Sequence, residues 1–422
     1  MSPGLRGTCV LLGLALALAG ALAAAEQPGS KGTLTVAVGP PAGAAVCARV
    51  DAAQTGRSKV RLPTTLLSTR FRKSLSTPNN TGLVVTKEGH AITLSTRGEA
   101  TTYDDNGEQL ARQSIPSLTA ASAPVLVSNG SVLFLTNEGD AVAARPGAVR
   151  PEVSPLGMSG REGISSTTLL PLLDGGAAAL FGREFALLDS QGAIRSRSVL
   201  PEASQGAAAL GGTLYVLGVS GTVHSVRPGH APVRVGTFGA PVPQGIVART
   251  ERSLLGVTST GALIDLDPQS GTNRTIAAPD RVTFMGPPTL GPPGITFLLG
   301  LTATHVVAVR LDGNDMATSV TDLAPLLPSM LPDGGAGVPP TAIPHAAAIA
   351  DAEGTLAFLA PDGRIGVMTA ARGVSTTGEA VCARAFGRNP TPATGVMAPA
   401  AEGGIFVQCE GILARVDGKT DR

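Results

Sequence analysis

The chain has 422 residues, of which 43% are hydrophobic and only 15% are charged, and its formal net charge is +1. This composition excludes extended disorder, because enough apolar surface is present to build a core, and the near-neutral charge excludes the basic face that nucleic-acid binding requires. A chain of this length divides into two or three domains unless a repeat or a closed sheet organises it.

The first 25 residues are predicted to be a signal peptide. Arg6 supplies a positive charge, residues 9–25 are apolar, and three alanines precede Glu26, as the small-residue cleavage rule requires. The alternative is an uncleaved anchor, for which the stretch is short. No cysteine ends the stretch, so a lipoprotein is not expected, and no later segment reaches membrane-spanning length. We therefore predict export to the periplasm or the cell exterior. The Ala-, Gly-, Pro- and Arg-rich composition is typical of proteins from GC-rich bacterial genomes.

Residues 26–75 are expected to hold a linker and a ring-closing strand at about residues 64–71, and a repeat occupies residues 76–422. Each unit is a short apolar strand, a turn that ends in glycine, a second strand and another glycine turn. The inner-turn glycines are Gly98, Gly139, Gly182, Gly221, Gly261, Gly363 and Gly411. The first four intervals are 39 to 43 residues long, and residues 295–299 and 306–309 supply one more unit in the long gap after Gly261. The sequence therefore contains eight units.

The period and the turns predict an all-β fold. Glycine takes positive φ without a Cβ clash, which such tight turns need. A four-stranded sheet with two apolar faces cannot bury both faces alone, whereas packing around a ring buries them. A period near 42 residues matches one propeller blade. We predict an eight-bladed β-propeller with four-stranded antiparallel blades, and seven blades as the alternative.

These units resemble the quinoprotein-type (PQQ-like) repeat over residues 76–418, and they are most similar to its non-enzymatic branch, which includes the bacterial outer-membrane assembly scaffold. The family often ends a unit with Gly-x-x-x-Trp, whose ring docks one blade on the next. Here Gly107 and Gly271 are followed at that spacing by Ala111 and Thr275, and the chain has no tryptophan. Blade contacts are therefore expected to depend on small and aliphatic residues.

A proline-rich insertion is predicted at residues 321–344. Its apolar residues are Leu326, Leu327, Met330 and Leu331. Long loops on rigid scaffolds often carry binding, so these four residues are candidates for docking a partner. The alternative is a linker folded over the ring surface.

Removal of the leader leaves three cysteines in an oxidising compartment, so at most one internal disulfide forms. Cys382 and Cys409 lie closest in sequence and are the first choice. Cys47 shares the local string Ala-Val-Cys-Ala-Arg with Cys382, which makes a pairing between the two ends of the chain a competitor. Three buried thiols are the remaining alternative.

No catalytic, cofactor or metal site is predicted. Quinone-dependent relatives of the repeat stack their cofactor between a tryptophan and adjacent cysteines, and this chain has neither. The nucleophile elbow, phosphate-loop and zinc motifs are missing, and the histidines are scattered over different units. Carboxylates cluster at residues 104–107, 265–267 and 312–315, but without the alternating ligands and distal acid of a calcium loop.

The function expected from these features is that of an exported, non-catalytic scaffold that binds an envelope or secreted protein, with a role in cell-envelope assembly. The alternative is an enzyme whose site in the central channel is assembled from several blades. Convergent carboxylates, histidines or arginines in the channel would favour the enzyme, and a channel of Ala, Val and Gly would not. A structural or surface-display protein is a third, weaker hypothesis.

Overall fold

The computed structural model describes residues 45, 47, 54, 56–76, 80–114, 118–145, 148, 151–158, 167–172, 175–250, 253–327, 348–382, 395–400, 403–409 and 411–420. Their regular structure consists of β-strands. Within these ranges no helix is long and apolar enough to cross a membrane. The predicted signal peptide, residues 1–25, lies outside the described residues.

Thirty-two strands in the described ranges form eight four-stranded antiparallel sheets. Strand β1 (Thr65–Ser74) belongs to the last sheet. Blade 1 contains β2 (Asn80–Val85), β3 (Ala91–Ser95), β4 (Glu99–Tyr103) and β5 (Gln109–Ser114). Blade 2 contains β6 (Val125–Leu126), β7 (Val132–Leu135), β8 (Ala141–Ala144) and β9 (Glu152–Ser154). Blade 3 contains β10 (Thr167–Pro171), β11 (Ala177–Phe181), β12 (Glu184–Leu188) and β13 (Ile194–Val199). Blade 4 contains β14 (Ser204–Leu210), β15 (Thr213–Gly218), β16 (Thr222–Val226) and β17 (Val233–Thr237).

The second half of the chain repeats this arrangement. Blade 5 contains β18 (Val247–Thr250), β19 (Ser253–Val257), β20 (Leu263–Leu266) and β21 (Asn273–Ile276). Blade 6 contains β22 (Thr283–Leu290), β23 (Thr296–Leu301), β24 (His305–Leu311) and β25 (Ala317–Pro325). Blade 7 contains β26 (Ala348–Ala350), β27 (Leu356–Leu359), β28 (Ile365–Thr369) and β29 (Gly373–Thr376). Blade 8 contains β30 (Val396–Ala400), β31 (Gly404–Cys409), β32 (Ile412–Lys419) and, as its fourth strand, β1.

The sheets are closed into a ring. The first strand of each blade lies at one edge of its sheet and contacts the first strands of both neighbouring blades, in unbroken order from blade 1 to blade 8 and back. These first strands therefore surround the central channel, and the fourth strands lie on the perimeter. The predicted eight-bladed β-propeller is confirmed, and the seven-bladed alternative is wrong.

The N-terminal strand completes the last blade. Strand β1 pairs antiparallel with β32, with Thr69 opposite Val416 and Arg72 opposite Ala414. The strand expected at residues 64–71 is thus found at Thr65–Ser74, three residues longer at its C-terminal end. Because the two ends of the repeat share one sheet, the last blade has its full four strands and the ring is closed.

Apolar clusters lie at every boundary between neighbouring blades. Alternation along a strand produces them, since successive side chains point to opposite faces of a sheet. In β11, Ala178 and Leu180 pack toward blade 4, whereas Ala179 and Phe181 pack toward blade 2. Each sheet therefore buries both faces.

The predicted inner-turn glycines occupy the expected turns, and all seven have positive φ. At Gly363 φ is +83°, and a Cβ would lie 2.7 Å from the carbonyl oxygen of Cys382. This turn needs glycine for its backbone conformation and for space. In blade 6 the turn between β23 and β24 lies at residues 302–304 and contains no glycine.

Candidate functional site

The central channel is the first place to look for a site, since it gathers strands from all eight blades. Within the bounds of the first strands, the described residues include no Asp, Glu, His, Lys or Cys. Ala, Val, Leu, Thr, Gly and Pro predominate, as in β14 (SQGAAAL) and β30 (VMAPA). The one charged residue in these strands is Arg249, at the end of β18.

Arg249 belongs to an ion-pair cluster between blades 5 and 6. It contacts Asp315, and its Nη2 lies 3.3 Å from Oδ2 of Asp265. Arg274 contacts Asp315 as well and lies 2.9 Å from the same oxygen of Asp265. The hydrogen bond to Asp265 raises the pKa of Arg274 above its usual value, more strongly than burial lowers it. Two arginines thus balance two carboxylates, and the cluster holds the blades together rather than presenting a free acid or base.

A second cluster lies where blade 8 meets blade 1. The side chain of Arg415 is 1% exposed and pairs with Asp105 and with Asp417, the latter at 2.7 Å. Its guanidinium carbon lies 5.7 Å from the centre of the Phe406 ring. On β1, the Nζ of Lys73 donates a hydrogen bond of 2.8 Å to the carbonyl oxygen of Gly107.

These two clusters correct the expectation that blade contacts depend on small and aliphatic residues alone. Aliphatic packing occurs at every boundary. At two boundaries, between blades 5 and 6 and between blades 8 and 1, ion pairs are also present, and their aspartates, Asp315 and Asp105, lie in the turn before a fourth strand. The arginine partners were not anticipated from the sequence. The available signal was an arginine inside an otherwise apolar strand, as in the Leu413-Ala414-Arg415-Val416 string.

The carboxylate clusters weighed as calcium loops have other partners. Oδ1 of Asp104 accepts hydrogen bonds from the backbone N–H groups of Asn106 and Glu108, at 2.9 and 2.8 Å. Asp312 accepts the same pair of bonds from Asn314 and Met316. Such bonds are how Asp stabilises a turn. Among the described residues, no group of three or more His, Cys, Asp or Glu side chains is arranged to hold a metal ion.

A short part of the chain that precedes β1 lies in the channel. The backbone N–H of Ala45 donates to the carbonyl oxygen of Val85 at 3.0 Å, and the N–H of Val85 donates back at 2.9 Å. Val85 ends β2, so this antiparallel bridge lies on the inner edge of blade 1.

The same part of the chain also reaches blade 7. The N–H of Ala350 donates to the carbonyl oxygen of Gly56 at 2.9 Å, and the N–H of Ser58 donates to the carbonyl oxygen of Ala350 at 2.6 Å. This parallel bridge, centred on Arg57, lies on the inner edge of β26. Within the described part of the chain, no other first strand has a bridge on its inner edge.

Burial shows how closely these residues fit. Ala45, Cys47 and Ser58 are 1%, 3% and 0% exposed. Cys47 packs in the core between blades 2 and 3, and Nε2 of Gln54 lies 3.6 Å from its Sγ. We call this set the channel residues; it comprises Ala45, Cys47, Gln54, Gly56, Arg57 and Ser58. Sequence reasoning assigned them to a linker, because no strand pattern marks them.

The partner-docking residues proposed from the sequence fall into two groups. Thr321 to Pro325, the start of the expected insertion, are the end of β25. Leu327 is 9% exposed and Leu326 is partly buried, and both pack on the core between blades 6 and 7. Leu326 stays partly exposed, and the docking role of both residues stays a prediction. Met330 and Leu331 lie outside the described residues, so their docking role stays a prediction.

Cys382 and Cys409 form a disulfide with a Cα–Cα distance of 5.7 Å. Cys382 follows blade 7 and Cys409 ends β31, so the bond joins blades 7 and 8. Of the two pairings weighed from the sequence, the structure contains this one. Cys47 lies in a different apolar cluster.

No protein-family model matches the sequence, and no curated protein is detectably similar to it. Solved structures do match. The computationally designed Ika8 protein is 12% identical and aligns over 84% of this chain and 99% of its own, with a TM-score of 0.59. Quinohemoprotein alcohol dehydrogenase from Comamonas testosteroni is 11% identical over 90% of this chain and 81% of its own, with a TM-score of 0.57. BamB from Moraxella catarrhalis, at 14% identity over 85% of this chain and 98% of its own, has a TM-score of only 0.39.

The residues present do not fit the quinone cofactor of the enzymes with this repeat. The disulfide joins residues 27 apart in sequence and is buried between two blades, the chain has no tryptophan, and the single charged residue of the first strands is held by two aspartates. At identities this low the likeness concerns the fold alone. The chain therefore has a β-propeller fold of the kind found in quinohemoprotein alcohol dehydrogenase.

Proposed function

We propose that this protein is an exported, non-catalytic propeller that binds another envelope or secreted protein and acts as a scaffold in cell-envelope assembly. The observation that carries the proposal is the composition of the first strands. A catalytic site in a ring needs acids, bases or nucleophiles that converge on the channel. The described first strands contain no carboxylate, histidine, lysine or thiol, and their one charged residue, Arg249, is paired with two aspartates.

The channel residues support the same reading. They cover part of the inner edges of blades 1 and 7 with backbone hydrogen bonds. Space at this position is therefore occupied by the chain itself. A small-molecule site usually needs a concave pocket with a few convergent polar groups, and the described channel strands consist mostly of apolar and hydroxyl residues instead.

Export is supported by the disulfide and by the predicted leader. Disulfides persist in oxidising compartments and are rare in the bacterial cytosol. A scaffold of 42.2 kDa with eight similar blades offers two ring faces and a perimeter to partners. The perimeter carries exposed apolar side chains on or beside the fourth strands, among them Val199, Val233 and Met316 at 62%, 59% and 65% exposure.

The test is affinity capture of the tagged full chain from envelope extracts of its source cells. The designed Ika8 protein, exported with the same leader, is a control of similar fold. We expect one or a few proteins to be captured reproducibly by this chain and not by Ika8, and to capture it in return. Equal captures by the two propellers would contradict the proposal, as would a defined substrate turned over by the purified chain.

A further inference from the structure

We propose that the inner edges of β2 and β26 are acceptor sites for an extended peptide of a partner protein, and that the channel residues occupy these sites in the free protein. The inference rests on the proposed function and assigns the partner segment its chemistry. Recognition is by strand addition, in which backbone hydrogen bonds supply affinity.

The backbone geometry defines the acceptor positions. Val85 and Ala350 each direct both their N–H and their C=O away from the second strand of the blade and into the channel. An edge strand with such groups is a template for another strand. The two sites differ in direction, because the bridge to Val85 is antiparallel and the bridge to Ala350 is parallel. The resident chain runs antiparallel to β2 at Ala45 and parallel to β26 at Arg57.

Burial defines the side chains that fit. The residue opposite Val85 is alanine and is 1% exposed, and Ser58, which donates to Ala350, is 0% exposed. Larger side chains at these two positions would overlap the surrounding core, in which residues are close-packed. The expected partner segment is therefore extended, with a small side chain (Ala, Ser or Gly) opposite Val85 and at the position whose N–H donates to Ala350.

The backbone pairing of the resident segment is short. Within the described residues it consists of one bridge to β2 and one to β26, whereas neighbouring strands within blade 1 pair over four to five residues. Covalent attachment compensates for this short pairing, since a tethered segment has an effective concentration on the order of millimolar. Weakening the resident segment should therefore increase binding of a free peptide.

The probe is a fluorescent synthetic peptide of residues 43–60 of this chain, with Cys47 replaced by alanine. Binding is measured by fluorescence polarisation to the full chain, to Ala45→Pro and to Ser58→Pro. Proline has no N–H and cannot donate to Val85 or Ala350. Ala45→Ser and Ser58→Ala keep the N–H and are the matched controls. A second peptide with both prolines is the ligand control.

We expect the proline variants to bind the first peptide about tenfold more tightly than the wild type and the matched controls do. We expect the proline-containing peptide to bind none of them. Absence of binding to every protein would overturn the acceptor sites. Equal binding to wild type and variants would do so as well, because the peptide would then bind elsewhere.

Hydrogen exchange provides a readout that needs no variant. In the wild type, the amides of Val85 and Ala350 should exchange much more slowly than exposed loop amides, because each donates to a channel residue. Fast exchange at both would overturn the proposal. The proline variants also separate this inference from the proposed function. A partner captured equally by wild type and by Ala45→Pro would keep the scaffold role and reject the channel as its site.

Discussion

Arg415 and Asp105 form an ion pair of 2.6 Å across the boundary where the last blade meets the first. The arginine side chain is 1% exposed, whereas the aspartate is 37% exposed. The charge with the larger desolvation penalty thus belongs to the arginine, and Asp105 and Asp417 compensate it. Arg415 belongs to β32, which pairs with β1, so the ion pair joins the last blade to the first beside the closing strand.

Replacement of Arg415 by alanine should destabilise the protein by about 2–5 kcal/mol, because it empties a buried site beside Phe406 and removes a partner of Asp105 and Asp417. Urea unfolding followed by circular dichroism measures the change. Arg61→Ala is the matched control: its ion pair with Glu353 is 58% and 59% exposed, so a change within about 1 kcal/mol is expected. An Arg415→Ala midpoint equal to that of the wild type would show that ring closure does not depend on this pair.

Loss of the disulfide should destabilise the fold by about 3 kcal/mol, since the bond closes a loop between residues 27 apart. The comparison is unfolding of the wild type with and without reductant. The double variant Cys382→Ala/Cys409→Ala should be less stable and insensitive to reductant. Cys47→Ala should remain sensitive. Reductant sensitivity that disappears in Cys47→Ala would instead identify the competing pairing.

Gly363→Ala should destabilise by about 3 kcal/mol, the sum of a left-handed backbone penalty and an overlap with the Cys382 carbonyl oxygen. Gly130→Ala isolates the first contribution, because φ is +80° there and no atom lies within 4 Å of the added Cβ. About 1–2 kcal/mol is expected for that control. Thermal or urea unfolding measures both. Equal losses of stability in Gly363→Ala and Gly130→Ala would exclude a contribution from overlap with the Cys382 carbonyl oxygen.

Stability should fall as the pH falls below the usual His pKa of 6.5, in part through His224. Burial lowers the pKa of this imidazole in the folded state, more than Glu202 raises it, and Arg234 lowers it further. The unfolded chain then binds the proton more readily, so His224 favours folding above the unfolded pKa and loses this contribution as the pH drops through the folded value.

The measurement is the unfolding free energy of the wild type and of His224→Gln between about pH 5 and pH 8. A shallower slope in the variant is expected, together with an imidazole titration below 6.5 by NMR. Identical slopes in the two proteins would assign the pH dependence to carboxylates instead.

The repeat could be recognised from the sequence because its signals are local. A glycine such as Gly139 or Gly221 is required by the φ of its own turn, and alternation of apolar residues needs only the next few positions along a strand. Each of the eight units has about the length of one blade. Closing eight such sheets into a ring is the arrangement that buries both faces of every sheet. Local signals also predicted the closing strand at about residues 64–71, which precedes the first unit in the sequence.

The tertiary structure decided the contacts that depend on closure. Arg415 meets Asp105, and Ala350 meets Gly56, only because the ring brings the ends of the chain together. No periodicity marks either pair, since the partners lie hundreds of positions apart and backbone bridges demand no particular side chain. The sequence alone thus determined the blade and the number of its copies. The ring determined which charges are buried and which segment enters the channel, because burial and edge pairing depend on neighbours in space.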